Sequence, residues 1–302
     1  MGWKTFLGSV FFLFVIISIG VYWFFPFDEI DFVKSNGNTN FTLPDSTSNK
    51  MQFYENMRFP EPKISYKIDN CPIKRKYDMI EAFSILSNKT ILNFYEVASN
   101  EEITVYCEEQ QKYSEGLFIA GEGGPTNITS SGEFNTITHG KILLLKDSDC
   151  TSPNIAIHEL LHVLGFEHSQ NKNNILYNIS KCDQEISTDI IELLNKLYSI
   201  NSYADLALED VTAKMNGRYL DTNVSVRNNG FKDSEKAKLF IYADGELIKE
   251  MEIMPLSTGY GRIFTFSNIL INQFDVKELE YSIDADFSEL DKKNNKIKLE
   301  IK

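Results

Sequence analysis

Positive charge is scarce in this 302-residue chain. Thirty Lys and Arg stand against 43 Asp and Glu, a net charge of −13. Phosphate binding needs a basic face, so the balance excludes nucleic acid as a partner. Cysteine and histidine are equally sparse, at four residues each. No C-x-x-C spacing occurs, which argues against a four-thiolate zinc site. No Lys-Ser/Thr follows the GEGG run at 121–124, so that stretch is a poor phosphate loop and reads as a surface turn. Hydrophobic residues at 42% and charged residues at 24% are close to globular averages, and the length leaves room for about two domains.

Charge is wholly missing from Thr5 to Phe27. As a helix at about 1.5 Å per residue this run would span roughly 35 Å, enough to cross a bilayer core. Tyr22, Trp23, Phe24 and Phe25 stand where an aromatic belt belongs, and no small residues mark a signal-peptide cleavage site. Lys4 precedes the run, while Asp28, Glu29 and Asp31 follow it. The expectation is one transmembrane helix, an uncleaved anchor over 1–27, with a cytoplasmic N-terminus and everything downstream extracellular. Residues 28–58, rich in Asn, Ser, Thr and Asp, read as a flexible tether.

Residues 59–203 show mixed α/β (α+β) patterning. Strand alternation in KISYKID precedes a helical pattern in RKYDMIEAFSIL, and strand candidates follow at LNFYEV, EITVYC and KILLLK. Helices are expected over 153–164 and about 185–198, outside a twisted sheet. Residues 204–302 change character to seven short alternating stretches separated by turn signals, among them Asp244-Gly245. They describe an all-β immunoglobulin-like sandwich.

Cys71, Cys107, Cys150 and Cys182 all precede the sandwich and suit two disulfides in an extracellular domain. Of three possible pairings, 71–107 would close the first strand–helix unit and 150–182 would bracket the helix at 153–164. Reduced core thiols are the alternative. Five N-x-S/T sequons, at Asn40, Asn88, Asn127, Asn178 and Asn223, are hardly more than this composition produces by chance.

The chemistry concentrates in HELLHVLGFEH, residues 158–168, which holds three of the four histidines. His158 and His162 are four apart, one turn from each other on one helix face, so two imidazoles can meet one ion. Glu159 lies on the adjoining face, placed to act as general base toward a metal-activated water rather than as a ligand. Gly165 would end the helix in a left-handed conformation and let the chain return His168 as a third ligand. Three His ligands with an open fourth position describe a catalytic zinc site. His139, the fourth histidine, has no other ligand type nearby and reads as an ordinary strand or loop residue.

With Ser169 added, HELLHVLGFEHS resembles the zinc signature of the metzincin metallopeptidases, and the Ser points to the matrixin-like branch. The resemblance implies a zinc endopeptidase fold, with one Zn²⁺ on His158, His162 and His168, Glu159 as catalytic base, and protein or peptide substrates. It also implies a Met floor beneath the zinc. Here Leu176 stands in that place and Asn178 replaces the expected Pro, a swap of similar volume that predicts a small packing effect. Tyr177, together with Leu176, would line the substrate pocket, with core packing as the alternative for Tyr177. No cysteine-switch segment is present in the tether.

The C-terminal region resembles CARDB-type adhesion modules through ADLALEDV, VSVRNNG, LFIYADGELI and SIDADFSELDKKNNKIKLEI. That resemblance implies a surface protein or glycan as its partner, or a spacer role. Asp284, Asp286, Glu289 and Asp291 offer carboxylates to Ca²⁺ but do not fit an EF-hand loop, and a solvated turn is the simpler reading. The reading as a whole is a membrane-anchored, outward-facing zinc endopeptidase. Its rival is a catalytically silent surface adhesion protein that keeps the zinc fold, against which the intact Glu159 argues.

Overall fold

The computed structural model describes residues 2–24, 29–34, 51–109, 112–114, 117–148, 150–273 and 275–301. Two compact units emerge, one from Phe41–Ala204 with Asn229–Lys232, the other from Met1–Asn40, Asp205–Asn228 and Asp233–Lys302.

Helix α1 covers Trp3–Phe24. Among the described residues no helix is long and apolar enough to cross a membrane. The transmembrane helix expected from the sequence is therefore not shown by the structure.

Strand β1, Glu29–Lys34, corrects the expectation of a tether over 28–58. Phe32 turns into an apolar core while Asp31 faces solvent. Six residues of alternation are too few to stand out from a polar surrounding sequence. Residues 35–50 of the expected tether, with the Asn40 sequon, lie outside the described residues.

The first unit holds β2 (Met57–Arg58), β3 (Lys63–Asp69), α2 (Ile73–Lys89), β4 (Asn93–Glu96), β5 (Ile103–Cys107), β6 (Lys112–Ser114), β7 (Leu117–Ile119), β8 (Gly121–Ser131), β9 (Phe134–Leu144), α3 (Asn154–Val163) and α4 (Thr188–Tyr198). Its main sheet has the order β2-β9-β5-β3-β4, all parallel, and β8 adds to β9 in antiparallel register. Helix α2 supplies the crossover that a parallel β3–β4 pair requires. Met79, Ala82, Phe83 and Leu86 recur at i, i+3, i+4 and i+7 and are all buried. Phe83 stacks on Tyr66 at 4.1 Å between ring centroids and meets Phe94 at 4.9 Å. Disulfides join Cys71 to Cys107 and Cys150 to Cys182. The first ties the β3–α2 connection to the end of β5, and the second ties the approach to α3 to the loop that follows it.

Arg58 is fully buried in this unit. Its guanidinium donates to the carbonyls of Phe59, Pro60, Leu197 and Ile200 and to Ser202 Oγ. Its carbon lies 4.7 Å from the Tyr198 ring centroid and 4.1 Å from that of Phe231. Burial pushes its pKa down to about 10, and the charge is held by dipoles and ring faces.

The second unit is a β-sandwich of β10 (Leu206–Asn216), β11 (Tyr219–Asn228), β12 (Ala237–Ala243), β13 (Glu246–Ile253), β14 (Gly261–Leu270), β15 (Glu278–Asp284) and β16 (Lys296–Ile301). These are the seven stretches read from the sequence. The Asp244-Gly245 turn has φ of 43° and 84°, as a two-residue hairpin of the primed type requires. One hydrogen-bonded path links the strands in the order β13-β12-β15-β16-β1-β10-β11-β14. β1 thus closes the seam between β16 and β10, and Phe32 joins the core of Leu208, Val224, Leu239, Tyr281 and Leu299.

At the start of β10, Asp205 is buried and accepts hydrogen bonds from Asp291 N–H and Asn294 Nδ2. Glu289 accepts from Leu206 N–H and Asn295 Nδ2. Burial pushes Asp205 up to about 6, and Glu289 is raised from the same cause. An acid whose folded pKa is raised holds its proton more tightly when folded. Its stabilising contribution is therefore full below about pH 4 and is lost as pH rises through about 6. Asp205→Asn, which mimics the protonated form, is expected to lose less stability between pH 4.5 and pH 7 than the parent, by about 1–3 kcal/mol. Denaturant melts of both proteins at the two pH values check this, and parallel pH profiles would refute it.

Candidate metal centre

Helix α3 is short and buried on nearly every side. Leu160, Leu161, Val163 and Leu164 are fully enclosed, and His158, Glu159 and His162 are also buried. Gly165 follows at φ +95°, and a Cβ there would lie 2.7 Å from Met57 Cβ, so both conformation and space demand glycine. The turn brings His168 back toward the helix.

The three Nε2 atoms converge. His158 and His162 are 2.9 Å apart, and His168 is 3.2 Å from each. His158 donates through Nδ1–H to the Ile175 carbonyl and His162 through Nδ1–H to that of Phe166, both at 2.7 Å. A neutral imidazole carries one N–H, so these bonds leave both Nε2 atoms as bare lone pairs pointing at each other. Such a set repels itself without a cation at its centre. Zinc with Zn–N bonds of about 2.0–2.1 Å in tetrahedral geometry puts its ligand atoms about 3.3–3.4 Å apart, near the spacing seen. Burial pushes His158 and His162 down to about 4 and also lowers His168, which favours the neutral, ligating form. Among the described residues this is the group of His, Cys, Asp and Glu side chains gathered closely enough to hold a metal ion.

Glu159 sits outside that triad of nitrogens. Burial first, and the charge of Glu122 second, push its carboxyl up to about 8, while a hydrogen bond from Gly123 N–H acts in the opposite sense. A positive charge on the neighbouring imidazole set works in the same direction as Gly123.

Leu176 is buried beneath the loop, its carbonyl accepting from Ser169 N–H and its own N–H donating to Asn174 Oδ1. Tyr177 is half-buried and pairs with Ser169 in an isolated bridge, while Asn178 is exposed. His139 lies apart, its ring nitrogens 3.2 Å from Thr104 Oγ1 and the Glu101 carbonyl. Asp284, Asp286, Glu289 and Asp291 do not converge on a common point among the described residues, and Glu289 instead binds N–H donors, so nothing favours the Ca²⁺ site considered from the sequence.

The GEGG run corrects a second expectation. It opens β8, which lies against α3, rather than forming a surface turn. A Cβ on Gly123 would stand 2.2 Å from the Glu159 carbonyl oxygen, and one on Gly121 2.7 Å from Glu159 Cγ. Glycines two apart on one strand face admit the helix backbone directly against the sheet. That period-2 placement was the available signal, because glycine within a strand marks close backbone approach. Residues 51–56 also escaped the sequence reading. The sequence places them in the tether, yet the Phe53 ring stands beside that of His162 with centroids 6.0 Å apart.

Residues 58–199 match the matrixin peptidase family, and residues 204–298 match the CARDB family. No curated protein sequence matches the chain. Similar solved structures include a CARDB domain from Pyrococcus furiosus in complex with di-metal ions, 16% identical, covering 33% of this chain and 88% of that one at a TM-score of 0.25. Another is a domain of a putative cell surface protein from Methanosarcina acetivorans, 17% identical, covering 32% and 90% at a TM-score of 0.28. The chain therefore joins a region that matches the matrixin family model to one that matches the CARDB family model.

Proposed function

We propose that the chain is a zinc-dependent endopeptidase, anchored in a membrane by its N-terminal segment with both domains outside the cell. The observation that carries the catalytic part is the convergence of three Nε2 atoms within 3.2 Å beside a buried glutamate. His158, His162 and His168 would hold the ion. Zinc bound there supplies a Lewis acid that acidifies water and polarises a peptide carbonyl.

The chain's own residues do the rest. Glu159 takes the proton of the attacking water at its carboxylate and passes it to the leaving amine. Gly123 N–H fixes that carboxylate. The Ile175 and Phe166 carbonyls hold two imidazoles in the tautomer that ligates. Strand β8 pairs with β9 alone among the described strands, which makes it the candidate to take an extended peptide as an added strand. Tyr177, half-buried beside the third histidine's loop, suits a pocket wall.

The test is cleavage of casein by the full chain, with and without a zinc chelator. Cleavage abolished by the chelator supports the reading. Zinc bound at one per chain with no cleavage of any unfolded protein would remove the activity and favour a silent surface module.

The anchor is supported by the uncharged run Thr5–Phe27 and the acidic residues after it. Membranes washed at alkaline pH are expected to retain the protein. Its release into the wash would end this part of the reading.

A further inference from the structure

We infer that residues Met51–Asn56 form a positioning strap for the metal centre, holding the loop after α3 and the His162 ring in ligating geometry. The inference rests on the reading of the three histidines as metal ligands. The strap precedes the region that matches the matrixin family, which begins at residue 58.

Three observations carry it. First, the strap pairs with the metal-binding loop along its backbone. Phe53 N–H donates to the Gly165 carbonyl and Glu167 N–H to the Met51 carbonyl, both at 2.9 Å, and Gln52 bridges Phe166 in antiparallel fashion. The Phe166 carbonyl is the group that accepts His162 Nδ1–H, so the strap fixes the atom that sets this ligand's tautomer and orientation. Second, the Phe53 ring stands beside the His162 ring, with centroids 6.0 Å apart and an angle of 29° between planes. Phe53 itself is 38% exposed, so it contributes little to the core. Third, the strap is tied down at its far end. The Gln52 side chain makes both hydrogen bonds to the Met57 backbone, Nε2–H to the carbonyl at 2.9 Å and Oε1 from the N–H at 3.1 Å. Asn56 Nδ2 donates to the Glu133 carbonyl, and Asn135 Nδ2 to that of Glu55, both at 2.9 Å.

A short clamped loop that flanks a ligand's ring and its carbonyl partner supports the metal as outer-shell partners do. Loss of such partners costs about 10–100-fold in metal affinity. The experiment titrates the full chain with Zn²⁺ against a competing chelator and records the visible absorption of the Co²⁺ form. It compares the parent with Phe53→Ala, Gln52→Ala and Phe53→Tyr. The expected result is a Zn²⁺ Kd raised about tenfold or more in the two Ala variants, a shifted Co²⁺ band, and parent values for Phe53→Tyr. Unfolding of the metal-free Phe53→Ala chain is expected to match the parent.

Affinities within twofold of the parent and an unchanged Co²⁺ spectrum would overturn the inference. So would weaker binding that only tracks a loss of metal-free stability, since that describes a structural role alone. A parent that takes up zinc yet cleaves nothing would remove the endopeptidase reading and leave the strap intact. A parent that takes up no zinc would overturn both.

Discussion

Glu159→Gln is expected to lower kcat toward an unfolded protein substrate by about 10²–10⁴-fold while zinc content stays at the parent level. The three nitrogens that would hold the ion belong to other residues, so the metal set survives. The amide keeps the shape of the side chain and loses only the capacity to accept and return a proton. Stability moves the other way. A carboxyl that burial pushes up to about 8 is costly to ionise in the fold, and a neutral amide escapes that cost. Metal-free Glu159→Gln should therefore unfold at or above the parent temperature, as expected where activity needs a strained group. Zinc analysis, steady-state cleavage and a thermal melt of the same preparation check all three statements. Parent-level cleavage by this variant would exclude Glu159 as the base.

Arg58→Ala carries the largest expected effect on stability, a loss of about 3–5 kcal/mol in the matrixin-family unit. The substitution strips donors from four carbonyls and a hydroxyl in a fully buried place. It also empties the slot between the Tyr198 and Phe231 rings, and a cavity adds its own cost. For a unit of this size that corresponds to a melting point lower by about 10 °C. Arg58→Lys is expected to recover little, because one ammonium cannot span acceptors arranged for a planar fork. A melting shift under about 3 °C for Arg58→Ala would show that the acceptors find other donors.

What the sequence made legible follows from the range of the interactions involved. The His158–His168 window could be read because helix spacing and one glycine place all three imidazoles locally, with no distant segment required. The seven strands of the second unit were legible because each alternates over six residues or more and is bounded by turn residues. Arg58 was silent, since nothing local distinguishes an arginine buried among carbonyls from a solvated one. β8 was masked by its glycines, which lower strand propensity while serving the approach of α3. β1 and the strap are short, and what orders them lies far along the chain. Strand β1 pairs with residues near 213 and 300, and the strap with residues 165–167.

Strand β1 also sets a path for force. It comes before the matrixin-family unit in the chain, yet it is zipped between β10 and β16 of the other. Tension entering through the N-terminal helix is handed across interstrand hydrogen bonds to those two neighbours. In sequence, the stretch from 35 to 204 leaves that line after β1 and rejoins it at β10. A pull between the N-terminal helix and the C-terminal domain thus works first against the shear strength of one short strand. The same arrangement makes a backbone nick between Lys34 and Met51 mechanically silent until β1 peels away.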